Sequence, residues 1–184
     1  TKPSTHESST RKGSPAAAAD PLPAKPQLPA SYRGALPCAG CATTSAQLDL
    51  WPNGVFHLRR HGLPGDELAV DEVGRWRMDP DVSTLLLYGG REAPLRMQVV
   101  GSRTLRALDS LGQPAGPGDA FDLQTDGSFQ SADLSLRLHG IFTYLADAAR
   151  FEECLTGRSY PVAQEHGYFA LEREYLTLSK SATG

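Results

Sequence analysis

YRGALPCAGCATTSAQLDL, residues Tyr32 to Leu50, decides the fold. Within it Ala46, Leu48 and Leu50 alternate with Gln47 and Asp49. That period of two is the pattern of a strand with one buried and one solvent face. Pro52-Asn53-Gly54 then reverses the chain into Val55-Phe56-His57-Leu58-Arg59, which alternates again. Asn-Gly between two alternating runs is the strongest short-range hairpin signal a sequence carries. On the upstream side a Leu36-Pro37 turn leads into Cys38-Ala39-Gly40-Cys41, so a CxxC pair sits at the mouth of a β-hairpin.

The strand texture continues downstream. Val70 to Arg77, Thr84 to Tyr88, Leu95 to Val100, Thr104 to Leu108 and Phe121 to Leu123 are short runs, separated by Gly- and Pro-bearing loops. Seven or eight such strands predict a small antiparallel sandwich or barrel. Closure removes the exposed edges, which favours the barrel. Trp51, Phe56, Trp76 and Tyr88 are expected as core and rim fillers rather than a ligand cage. His61 to Leu68 and Gly112 to Gly118 read as loops.

After Gly127 the pattern changes. Leu134, Leu136 and Leu138 alternate into a strand expected to run through Gly140 toward Tyr144. Asp147 to Phe151 reads as a turn or a single helical turn, and Tyr160 to Ala163 as a short strand. Tyr168, Leu171, Tyr175 and Leu178 recur at spacings of 3, 4 and 3, which predicts a C-terminal helix with those residues on its packed face. The expected organisation is a disordered tether over 1–30, a barrel over 31–127 and a second module over 128–184. The tether assignment follows from the Ser, Thr, Ala, Lys and Pro composition of the first thirty residues.

A net charge of −3 and a pI near 5.9 over 184 residues argue against a nucleic-acid surface. No apolar run approaches the ~20 residues that cross a bilayer as a helix. The chain holds no GxSxG, no HExxH and no phosphate-cradling glycine loop. His6 lies in the tether and His57 is expected to face solvent. Nothing pairs a base with a nucleophile, so an enzyme is not expected.

Cys38 and Cys41 leave several readings open. A thioredoxin-type centre opens a helix, whereas this pair precedes a strand. A zinc knuckle needs a second CxxC or HxxxH, which the chain lacks. Two thiolates could hold Cu(I), making Cys38 and Cys41 candidate metal ligands, or the pair could form a structural or redox-sensitive disulfide. Cys154 has no obvious partner.

Tyr32 to Cys41, Leu48, Leu50 and Asn53-Gly54 resemble the NlpE (CutF) family of outer-membrane lipoproteins. Gly74-Arg75-Trp76, Leu85 to Leu87 and Leu105 to Asp109 are similar to later stations of its N-terminal domain. Leu138 to Tyr144, Ala146 to Phe151, Cys154, Thr156-Gly157 and Leu171 to Leu176 resemble the opening of its C-terminal domain. The resemblance implies a mainly all-β chain: a lipocalin-like antiparallel barrel, then a short, incomplete OB-like segment ending in a helix. It implies attachment through a lipidated N-terminal cysteine, an outer-membrane site facing the periplasm, and a role in copper tolerance and stress signalling to a Cpx-type sensor kinase. Cys38 and Cys41 match the family's CxxC, associated with copper and redox sensing.

Two departures accompany the match. The family's second domain continues to a further cysteine that pairs with the counterpart of Cys154, so Cys154 is expected to be unpaired here, or to have its partner beyond the end of this sequence or in another molecule. No cysteine precedes Cys38, and residues 1–30 fit a chain begun just after a lipid-bearing position. Two other functions compete: a barrel carrying a small apolar ligand with CxxC as a staple, and a structural envelope lipoprotein. Homo-oligomerisation through the short second module is a further expectation.

Overall fold

The computed structural model describes residues 25–62, 69–79, 83–145 and 148–182. Most of the expected tether and most of the expected loop from His61 to Leu68 lie outside the described residues. Eight antiparallel strands, β1 (Ala30–Cys38), β2 (Cys41–Leu50), β3 (Val55–His61), β4 (Val70–Asp79), β5 (Thr84–Tyr88), β6 (Leu95–Gly101), β7 (Thr104–Leu108) and β8 (Asp122–Gln124), close into a barrel in sequence order. The all-β, barrel-forming expectation holds, and the predicted strands lie within a residue or two of the observed ones. One element exceeds the expectation: the chain before the cysteines is itself the long strand β1. Leu36-Pro37 is not a turn but the site of a bulge between Leu36 and Cys38. Proline cannot donate to a ladder, so the strand slips register there and resumes.

Alternation decides what fills the barrel. Tyr32, Leu48, Leu50, Phe56, Leu58, Leu85, Leu87, Met97, Leu105 and Leu123 are all buried and converge inside. Phe56 is core and Trp76 packs against it, as expected of fillers. Tyr88 lies at the surface under the Arg77 guanidinium, 5.4 Å from its ring centre. The interior described is thus packed with side chains, an arrangement that opposes the ligand-carrier reading.

Two glycines let the wall bend this tightly. A Cβ on Gly34 would stand 2.3 Å from the Asp122 carbonyl oxygen, where β8 closes onto β1. A Cβ on Gly74 would stand 2.1 Å from the Tyr88 carbonyl oxygen and 2.7 Å from the Phe56 ring, where β5 leaves β4. The stretch just before β1, read as tether from its composition, is packed here: Pro26 is buried, and the Gln27 N–H reaches the Ser102 carbonyl at 2.9 Å and the Tyr32 hydroxyl at 2.8 Å. Its anchors are backbone bonds, which composition does not reveal.

Residues 128–139 hold no strand, although leucines were expected to form one. The alternation is nevertheless real: Leu134, Leu136 and Leu138 are half-buried while Ser135 and Arg137 are exposed. The segment lies extended across the barrel's outer wall as a strap and has no ladder of its own. Beyond it, β9 (Gly140–Leu145), β10 (Ala148–Glu153) and β11 (Ser159–Pro161) form a three-stranded antiparallel sheet. Of Asp147 to Phe151, expected as a turn or a single helical turn, Asp147 lies outside the described residues and Ala148 to Phe151 are strand.

The expected helix is α1 (Tyr168–Ala182). Its packed face is rotated from the expectation. Tyr168 is buried and Tyr175 meets Phe142 edge-on at 5.6 Å, whereas Leu171 and Leu178 are exposed. A three-stranded sheet is too narrow to cover both flanks of a helix, and the aromatic pair wins the contact.

Gly74→Ala should lower the unfolding free energy by about 1–3 kcal/mol, the usual cost of overpacking. Phe56→Ala should cost about 3–5 kcal/mol. Urea midpoints measured on the purified chain check both, and a Gly74→Ala midpoint equal to that of the parent would contradict the close approach.

Candidate functional site

The CxxC pair occupies the tip of the β1–β2 hairpin. Cys38 and Cys41 face each other in the strand register, 5.2 Å apart at Cα, and are joined by a disulfide. Ala39 and Gly40 form the two-residue turn, and Gly40 takes φ +84°, the left-handed region that such turns require. No atom crowds a Cβ at Gly40, so the demand there is conformational only. The neighbouring backbone is pinned by side chains. The Thr43 hydroxyl donates to the Leu36 carbonyl at 3.3 Å, and the Thr44 hydroxyl donates to the His61 carbonyl at 2.5 Å. The Cys41 Sγ lies 3.9 Å from the Gly62 carbonyl oxygen. Both cysteines keep partial solvent access, so a thiol can reach the bond.

The same hairpin carries a second constellation on its outer face, away from the tip. The strap crosses β1, β2, β3 and β4 in turn, and each strand supplies a bond. Ser31 exchanges hydrogen bonds with Gln130 at 2.9 and 3.0 Å. Asp49 Oδ2 accepts the Ala132 N–H at 2.7 Å, Arg59 donates to the Asp133 carbonyl, and Asp71 Oδ2 accepts the Ser135 N–H at 2.7 Å. Asp49, expected to face solvent, is fully buried beneath this strap.

His57 was also expected to face solvent and does not. Its ring lies 4.4 Å from that of Trp51, and its Nε2 is 3.5 Å from the Arg158 guanidinium. Burial first, and the Arg158 charge second, push its pKa down to about 4 against the pull of Asp49 and Asp71. Trp51, expected as a core or rim filler, is instead the centre of this seam. It meets Phe129 edge-on at 5.0 Å and carries Arg158 over its face at 5.2 Å.

From the second module, the Glu153 carboxylate folds the 153–157 turn by accepting from the Leu155 and Thr156 N–H groups at 2.8 and 2.7 Å, while Arg75 reaches across to the Thr156 carbonyl. Burial alone would raise the Glu153 pKa. The hydrogen bonds from Thr156 and Leu155, with Arg75, hold it below its ordinary value.

The barrel and the small β module each match a model of one family. Residues 32–116 match the NlpE N-terminal domain and residues 132–184 match the NlpE C-terminal OB domain. The chain belongs to the NlpE family. It is 32% identical over 166 residues to lipoprotein NlpE of Escherichia coli K12, an alignment that takes in 89% of this chain and 65% of that relative. The chain therefore spans about two thirds of the length of that curated relative. Among solved structures, a lipoprotein candidate from Shewanella oneidensis is similar at 28% identity and TM-score 0.46, covering 56% of this chain and 93% of that one. The Cpx pathway activator NlpE from Escherichia coli is similar at 29% identity and TM-score 0.40, covering 82% of this chain and 76% of that one.

Against the NlpE expectation, Cys38 and Cys41 are together, and Cys154 is free and exposed. Among the described residues no group of three or more His, Cys, Asp or Glu side chains could hold a metal ion. The two sulfurs suit a soft cation only once reduced, because a disulfide sulfur is not a thiolate. Sequence reasoning missed the seam of Asp49, His57, Asp71 and Arg158. The one available signal was a run of polar residues placed opposite the strands' buried face.

His57 gives the seam a pH dependence. Between about pH 4 and 6.5 the unfolded chain binds a proton at this residue that the folded chain does not, so stability falls as pH drops through that window. His57→Gln should flatten the difference between urea midpoints at pH 7.5 and 5.0, and an unchanged difference would remove His57 as its source.

Proposed function

We propose that this chain is the sensing part of an envelope lipoprotein in which the Cys38–Cys41 disulfide is a redox-responsive element read by a stress-signalling partner. The observation that carries the reading is the position of the disulfide: an accessible bond across the terminal turn of a hairpin whose far half holds the second module. Support comes from the family, whose Escherichia coli relative is named a lipoprotein. The accompanying proposals are attachment to the outer membrane through an N-terminal lipid anchor, a periplasm-facing position, and a sensor kinase of the Cpx type as partner. Self-association through the exposed flanks of α1 belongs with them as a proposal. No catalytic role is assigned to any residue.

The chemistry available to the tip is thiol–disulfide exchange. A thiolate of a dithiol protein attacks one sulfur, a mixed disulfide forms, and the second partner thiol resolves it. The partner leaves oxidised by two electrons, and Cys38 and Cys41 remain as thiols. In that state the turn loses its covalent cross-link, and the tip is held by the β1–β2 ladder and the Thr43 and Thr44 bonds. Copper tolerance fits the same state, since paired thiolates are soft ligands of the kind that select Cu(I). A purely structural role for the lipoprotein predicts instead that the pair can be removed without consequence for signalling.

The cross-link closes a very short loop, so removing it costs only roughly 2 kcal/mol by the loop-entropy relation. Cys38→Ser/Cys41→Ser protein should therefore remain folded, while stress-reporter output in response to copper or to a periplasmic reductant should fall several-fold. Reporter output and copper tolerance equal to those of the parent, with the variant folded and exported, would overturn the sensing role.

A further inference from the structure

A second polar cluster occupies the same end of the barrel as the CxxC tip, on the inside of the wall. In the β3–β4 register Leu58 faces Glu72 and Arg60 faces Val70, so Arg60 and Glu72 project to the side that Phe56 and Leu58 fill. Arg91, in the β5–β6 loop, joins them. Its Nε and Nη2 reach Glu72 Oε2 at 2.9 and 2.5 Å, and Arg60 Nη2 stands 4.0 Å from that same oxygen. Two guanidiniums therefore share one carboxylate oxygen.

The other Glu72 oxygen lies over Gly89, 2.1 Å from where a Cβ on that residue would stand, so the absence of a side chain there gives the carboxylate its room. Arg60 Nε is buried and, among the described residues, has no hydrogen-bond partner. Burial, and then the neighbouring Arg91, lower the Arg60 pKa, with Glu72 opposing. Among the described residues the cluster carries two positive charges against one negative, and an unpartnered guanidinium donor in a partly desolvated place is costly. Access is retained, since the side chains of Arg60 and Arg91 are 19% and 32% exposed.

We propose that Arg60 and Arg91 form a binding site for a small oxyanion, a carboxylate or phosphate group, with Glu72 acting as the internal competitor that sets its affinity. A planar guanidinium presents paired N–H donors that match two oxygens of such a group. The bound anion supplies the acceptor Arg60 lacks and balances the excess charge. The site is separate from the disulfide and does not depend on the redox reading of the tip.

The test uses the full 184-residue chain, labelled with 15N, and follows arginine Nε–Hε signals during titration with inorganic phosphate and, separately, acetate at constant ionic strength. The expected result is a saturable shift confined to Arg60 and Arg91 for at least one of the two anions. The anion that saturates at lower concentration identifies the ligand class. Glu72→Gln should tighten that affinity about tenfold or more. Arg91→Gln, a change at a partly exposed position that leaves the core untouched, should abolish saturation while the barrel's amide spectrum is retained. Linear drift shared by all arginines overturns the site, as does saturation that persists in Arg91→Gln. If Glu72→Gln folds and binds no more tightly, the competitor role is overturned.

Discussion

Everything in this molecule depends on closing a wall of eight strands with a very short last one. β8 has three residues and meets β1 at only two register positions, Arg33 to Gln124 and Gly34 to Leu123. Closure at so small a contact needs the two backbones almost to touch, and Gly34 permits it by having no Cβ. The other side of β8 is held harder. Arg106 forks onto both Asp122 carboxylate oxygens at 2.7 and 2.8 Å, tying β7 to β8. With the wall shut, the apolar interior is complete and no sheet edge of the barrel is left to template another chain. The hairpin that carries the cysteines is then a stave of a closed structure, not a free ribbon.

The seam outside the wall follows a different logic from the core inside it. The seam is held through carboxylates, backbone amides and the Arg158 guanidinium stacked on the Trp51 indole, with few buried hydrocarbons. Such contacts are satisfied pair by pair, and each is worth little alone. They fix geometry more than they add stability, because a buried carboxylate that accepts defined N–H groups tolerates no shift in register. The second module is accordingly placed by the barrel's outer polar face, while its own sheet and helix bury only a handful of side chains, Ala149 and Tyr168 among them.

The inside of the barrel was legible in the sequence and the outside was not. Alternation in β2 and β3, the Asn53-Gly54 turn and the glycine-bounded runs gave strand positions because each signal is local. Asp49 and His57 misled for the opposite reason. Both sit where alternation puts the solvent face, and both are covered by residues far along the chain: the Asp49 partner is Ala132, 83 positions away, and the His57 neighbour is Arg158, 101 positions away. No period within a strand encodes a lid that arrives so late. The helix face failed similarly, since the spacing of Leu171 and Leu178 describes what could be buried and the width of the sheet decides what is. For the cysteines, the sequence favoured a disulfide over a metal-holding thiolate pair or no role at all, and the cross-strand register of Cys38 with Cys41 places the two for the bond.

The β1–β2 hairpin has one further consequence. Ser31 and Asp49, near one end of the ladder, grip the strap, and the disulfide lies at the other end, roughly 20–25 Å away at the rise of a β-strand. A two-stranded ladder built into a closed wall behaves as a stiff beam, clamped to the strap at its base and only to its neighbouring strand near its tip. Chemistry at the tip can therefore proceed without unfastening the module at the base. Sequence drift around the turn is mechanically insulated from the seam, and only a partner large enough to touch both ends of the beam would register the two together.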